Sequence, residues 1–428
     1  MKMRCWLATS VTAMTILSVS VSGSADGAAK PHFDYRIDTS QPSLVAPLPP
    51  LSLRGNLSSA SRASFFTDMD MINPRVGYVV GYLNNQFRIW KTTDGGGNWK
   101  VEAIPGVPTY NSNSGFPPPS MSFVSPSTGW IAWIVNVHNH NRLMVCRTTD
   151  GGRIWTQHSQ VVLPAANYVQ QICFWSAQDG WIRAFSGGAS NQGDMSVFHT
   201  IDGGQSWKLV SSATGYILNK QATPHALPEY DVPMPMVFTS PRDGWAAVGN
   251  VVMTQRSEAT LYRTRTAGTA WYPVQLPVPR SLRRGYATEG YQPVFAGNAG
   301  TVIFQYMSRH NEIVSYHTNN NGRTWLARRP ISLGSQYQTV LPCFVSPQVG
   351  WVAGGSGAML RTEDGGRTWS RMHVSGELSD LLHHGYTIQN FDMVSATVGW
   401  MMVENENGMT GEVTTRILKS SNGGRTWA

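Results

Sequence analysis

Carboxylate and guanidinium groups are the side chains of this 428-residue chain whose placement could do chemistry. Asp68 and Asp70 stand two apart, and Asp392 holds the same place in the last of a series of sequence repeats that Asp70 holds in the first. Two acids facing each other across ~5 to 9.5 Å would make a glycosidase-type pair. The same acids could equally hydrogen-bond between neighbouring units. Arg280, Arg283 and Arg284 crowd one short segment beside Tyr286, Glu289 and Tyr291. Planar guanidinium forks with aromatic neighbours suit a carboxylate, a phosphate, a sugar acid or the acidic patch of a protein. Glu229 and Tyr230 on the preceding connection, and His383 and Tyr386 on a later one, complete this candidate binding surface. His138 with His140, and His383 with His384, form close pairs, but spacing fixes no carboxylate near them. No metal site and no cofactor is therefore expected.

The elements that must position these groups are set by a repeat. A Ser/Thr-x-Asp-x-Gly-x-x-Trp pattern opens at Thr92, Thr148, Thr200, Thr264, Thr318, Thr362 and Ser420, at intervals of 44 to 64 residues. That interval fits one four-stranded propeller blade. A second mark keeps step with it, a glycine followed by an aromatic residue at Gly77-Tyr78, Gly129-Trp130, Gly180-Trp181, Gly244-Trp245, Gly350-Trp351 and Gly399-Trp400, with Gly300-Thr301 the weakest copy. Each unit reads as four strands. In the third, these are Gln171–Trp175, Trp181–Ser186, Ser196–Thr200 and a strand from Trp207, with the pattern forming the last hairpin. The side chain at its third position can accept backbone N–H bonds, its second glycine can take a positive φ, and its Trp can cover the turn. The expected fold is all-β, a seven-bladed propeller. The last pattern ends at Trp427, so the seventh unit lacks an outer strand, and the segment Pro42–Leu57 is the expected donor that closes the ring.

The first 29 residues have a different character: Lys2 and Arg4, an apolar run from Trp6 to Val21, then small residues. They read as a secretory signal, with an uncleaved anchor as the alternative. The expected organisation is 1–29 signal, 30–64 closing segment and 65–428 propeller. Cys146, Cys173 and Cys343 have no zinc-site spacing and read as buried thiols used as small apolar residues. The formal net charge of +8 is scattered rather than gathered into a stripe, which argues against nucleic acid and fits attraction to an anionic cell envelope.

The repeat resembles the Asp-box, or BNR, repeat of sialidase-like β-propellers, from Phe65 to Trp427. The resemblance implies a structural role for Asp94, Trp99, Asp150, Trp155, Asp202, Trp207, Trp271, Asn320, Trp325, Asp364, Trp369, Asn422 and Trp427, on a rim remote from the axis. Asn replaces the acid at 320 and 422, and Thr266 replaces it in the fourth copy. The sialidase Arg-Ile-Pro signature is absent, since Tyr35-Arg36-Ile37-Asp38 lacks the proline, and seven units exceed the sialidase six. The unit layout is more similar to the photosystem II stability/assembly factor family and its non-photosynthetic relatives. Unit six carries it best, in Ser346-Pro347-Gln348-Val349-Gly350-Trp351 followed by Arg361-Thr362-Glu363-Asp364-Gly365-Gly366-Arg367-Thr368-Trp369.

That resemblance implies an exported, non-catalytic scaffold that binds partner proteins, and with the positive charge the expected partner is a protein or an anionic envelope glycan or polymer. The mature domain is expected to be monomeric and not stably inserted in a membrane. Strand alternation sends the long connections, including 211–235, 277–293 and 374–387, to one face, where the binding surface is expected. The alternative reading is a carbohydrate-active enzyme, a glycoside hydrolase with paired carboxylates on that face.

Overall fold

Short runs of β-branched and aromatic residues, cut by Gly, Asn, Ser and Pro, form strands rather than helices along almost the whole chain. The computed structural model describes residues 51–54, 58–60 and 65–428, without the internal stretches 105–106, 108–118, 138–139, 164–167, 188–192, 215–220, 229–234, 250–258, 308–310, 333–339, 355–356 and 408–411. The strands form seven antiparallel four-stranded blades in a ring, ordered from the inner strand outward as the chain runs except for the outer strand of blade seven. Blade three is Tyr168–Phe174, Gly180–Gly187, Gly193–Thr200 and Lys208–Ser212, close to the strands expected for it. In blade five both the inner and the outer strand are split in two, Tyr286–Gly290 with Val294–Ala296, and Leu326–Ala327 with Ile331–Ser332.

The two sequence marks turn out to be halves of one joint between blades. Trp130, which opens the second strand of blade two, stacks on Phe174 at the end of the inner strand of blade three, with ring centroids 3.5 Å apart. Trp207 from the box of blade three meets the same Phe174 ring edge-on. The Trp130 indole N–H donates to the Gly203 carbonyl in that box at 2.8 Å, and Arg147 lies over the other Trp130 face, 5.2 Å from its centroid. Trp181 with Phe238 and Trp271, and Tyr78 with Phe123 and Trp155, repeat the arrangement. Each aromatic pair contributes about 0.5–1.5 kcal/mol beyond its buried area. The glycine before the aromatic residue is steric: a Cβ on Gly180 would overlap the Phe174 ring.

An N-terminal strand closes the ring, at a different place from the one expected. Ser58–Ala60 runs antiparallel to Glu412–Ser420, with Ser59 opposite Thr415, as the outer strand of blade seven. Leu51–Arg54 pairs instead with Asn98–Ala103, adding a fifth strand outside blade one, while residues 42–50 lie outside the described set. The C-terminus adds a stub: Thr426–Trp427 runs parallel to Ser375–Gly376, and Ala428 exchanges backbone bonds of 2.7 and 3.1 Å with Lys419. The outer edge of blade seven is thus shared by both ends of the chain. Cys146 and Cys173 are free, and burial pushes both thiols up to about 12. Cys343 departs from the thiol reading: it is disulfide-bonded.

Candidate functional site

The arginine segment is held by a buried anchor. Arg280–Leu282 makes one turn of 3-10 helix, and Leu282 is fully buried in the core between blades four and five. Arg280, Arg283 and Arg284 are left exposed on that turn, and none forms an ion pair with a described acid. Tyr286 follows, half-buried at the head of the inner strand. Glu229 and Tyr230 lie outside the described residues.

Glu289 and Tyr291 do not belong to this surface. Residues 286–290 form a strand rather than a loop, with a bulge between Ala287 and Glu289, and the Glu289 and Tyr291 side chains are both turned inward. The Tyr291 hydroxyl is 2.8 Å from Gln305 Oε1 and 2.9 Å from Glu289 Oε2, and the Gln305 amide donates to Asn311 Oδ1 at 2.9 Å. A phenol has one proton. If Tyr291 donates it to Gln305, Glu289 must be the donor to Tyr291 and must be neutral. Burial, which raises the Glu289 carboxyl against the lowering effect of the Tyr291 bond, favours that form.

The segment 374–387 carries a helix that the sequence reading does not contain. Glu377–His383 packs Leu378 and Leu381 into the core, with Arg416 bound to Glu377 at 2.8 Å. The spacing of Leu378, Leu381 and Leu382 is the signal for it. His383 and His384 are exposed, and their Nδ1 atoms lie 2.6 and 2.7 Å from the carbonyls of Ser379 and Asp380. Tyr386 packs partly against the same core.

The channel carboxylates are engaged with backbone. Asp392 Oδ2 accepts the Met71 N–H at 2.9 Å, and Asp70 Oδ2 accepts the Phe123 N–H at 3.1 Å. Ser122 Oγ does the same for Phe174, and Cys343 Sγ for Met393. Each of these residues stands seven before the glycine of its own blade, and each reaches the inner strand of the next blade. Asp68 differs. It accepts bonds from the Met69 N–H at 2.8 Å and the Asn390 amide at 2.9 Å. Burial raises its carboxyl to about 7 against those bonds, with the Asp70 charge pushing the same way.

The boxes are structural turns. Asp94 accepts the Asn98 backbone N–H at 2.9 Å and its side-chain amide at 2.6 Å, and these bonds hold the carboxyl down at about 2. Thr266 Oγ1 takes the Ala270 N–H at 3.0 Å and Asn320 Oδ1 takes the Thr324 N–H at 2.9 Å, so a neutral acceptor preserves the turn. Among the described residues, no group of three or more His, Cys, Asp or Glu is arranged to hold a metal ion.

No protein-family model and no curated protein sequence matches the chain. Solved structures do. A structure of YCF48 bound to a D1 peptide is 19% identical over 87% of this chain and 98% of its own, with a TM-score of 0.51. YCF48 from Cyanidioschyzon merolae is 16% identical over 84% and 98%, with a TM-score of 0.49. An ulvan lyase of polysaccharide lyase family PL25 is 11% identical over 87% and 96%, with a TM-score of 0.50. At these identities the likeness shows the β-propeller fold alone, which YCF48 and a polysaccharide lyase share.

Proposed function

We propose that the chain is an exported, non-catalytic scaffold that binds a protein or an anionic envelope polymer through the face bearing Arg280, Arg283 and Arg284. The observation that carries the reading is the exposed arginine turn, three guanidinium groups on a buried anchor with no described acidic partner. A rigid donor array of this kind recognises carboxylates or phosphates with little ordering cost. The D1 peptide of the YCF48 structure supports a peptide or protein partner. The charged start and apolar run before residue 22 support export.

A second reading, a glycan-cleaving enzyme, has one observation in its favour: a buried carboxyl raised to about 7 with the Asp70 charge acting on it, which is the type of perturbation found at catalytic sites. Against it, Asp70 and Asp392 are committed to backbone N–H groups. The test is a binding and turnover screen of the protein against acidic and neutral glycans and cell-envelope extract, with Arg283→Ala/Arg284→Ala as the control. Binding without turnover, lost in the double variant at unchanged melting temperature, is the expected result. Hydrolysis or elimination of any glycan overturns the scaffold reading.

A further inference from the structure

The boxes differ in charge, and the difference falls in one place. Reading around the ring, the third box position is Asp94, Asp150, Asp202, Thr266, Asn320, Asp364 and Asn422. Only between blades four and five do two neutral boxes adjoin. At that seam, on the box face and therefore opposite the loop-face arginine turn, lies a cavity of about 260 Å³ lined by Arg263, Arg265, Arg323, Asn298, Asn319 and Asn320.

The three arginines are not equivalent. Arg263 belongs to the blade joint: it lies 4.7 Å from the Trp245 ring centroid, donates to the Asn321 carbonyl at 3.1 Å and pairs with Asp243 at 3.2 Å. Arg265 and Arg323 are exposed and have no described acidic partner. Both charges reach Arg263, where they add to the burial that lowers its affinity for a proton. Elsewhere the box acid offsets such charge: Asp150 and Glu102 both act on Lys91 at the first seam. The turns at 266 and 320 keep their hydrogen bonds with neutral acceptors, so the fold loses nothing but negative charge there.

We propose that this seam is a binding site for an oxyanion, a carboxylate or a phosphate carried by a small polar molecule. Arg265 and Arg323 would supply the charge, Arg263 the fixed floor, and the asparagine amides both donors and acceptors for neighbouring hydroxyls. The site goes beyond the loop-face reading and does not depend on it.

Titration of the intact protein with sodium glucuronate, inorganic phosphate and glucose, followed by calorimetry and by NMR, tests the proposal. Saturable binding of either anion but not of glucose is expected, weakened about tenfold or more by Arg265→Gln/Arg323→Gln. The tighter of the two anions assigns the oxyanion class. A second variant, Thr266→Asp/Asn320→Asp, touches no arginine and restores the ordinary box residue. It should abolish binding while leaving the melting temperature equal or higher. No binding of either anion, or binding indifferent to both double variants, overturns the proposal.

Discussion

One register position, seven residues before the glycine that begins each second strand, shows how the same place serves different chemistry. Asp70, Ser122, Cys343 and Asp392 all use it to accept a backbone N–H from the next blade, because an inner strand beside the channel has donors that the adjoining sheet does not fill. Asp68, two residues before Asp70, has no such neighbour to serve and is the acid left out of balance. Its carboxyl is raised from 3.8 to about 7 in the folded chain. A carboxyl raised on folding binds its proton more tightly in the native state, so its contribution favours the fold below pH 4 and is lost as the pH rises through 7. The full shift corresponds to about 4 kcal/mol. Asp68→Asn retains an oxygen for Met69 and Asn390 and removes the charge. Urea unfolding at pH 5, 6, 7 and 8 should show the variant gaining stability relative to wild type as the pH rises. A constant difference across that range would mean that Asp68 titrates as an ordinary surface acid.

At the scale of elements, what could be read from the chain was what side chains demand of one another locally. Gly180, Trp181 and the box of the next blade keep one period because a stack, an indole bond and a close approach coincide there, as they do for Trp130 at the preceding seam. The strand at 286–290 escapes such reading because a bulge breaks its alternation, and with it went the inward orientation of Glu289 and Tyr291. The helix Glu377–His383 is too short for a periodic window, although Leu378, Leu381 and Leu382 mark its face. Arg280, Arg283 and Arg284 were legible as exposed because three consecutive-turn charges leave Leu282 alone to be buried. Ring closure was legible as a need but not as an address, since several segments upstream of residue 65 have strand character. The pairing of Ser58–Ala60 with Glu412–Ser420 makes a defined prediction. A chain shortened to begin at residue 61 should unfold at lower denaturant and self-associate through the bared edge of blade seven. One beginning at residue 58 should retain most of the stability. Equal midpoints and equal sedimentation for the two would remove the closing role.

For the whole molecule, the ring separates two basic surfaces by construction. Connections between blades and box turns emerge on opposite faces because strand direction alternates, so the Arg280–Arg284 turn and the Arg265/Arg323 seam share blades four and five but not a surface. Between them lies a packed core that includes Trp245, Leu282, Phe295 and Trp325, all buried, in a stiff sheet with no described hinge. Sites on opposite faces of such a unit, with no shared partner, should act additively. Substituting Arg283 and Arg284 should therefore leave glucuronate or phosphate affinity unchanged, and Arg265→Gln/Arg323→Gln should leave capture of the envelope partner unchanged, with the quadruple variant showing the sum of the two losses. Both affinities should fall with ionic strength, since the charge that draws each ligand is exposed. If either pair of substitutions changed binding at the far face while melting temperature held, the seam between blades four and five would be a coupled element rather than a fixed wall.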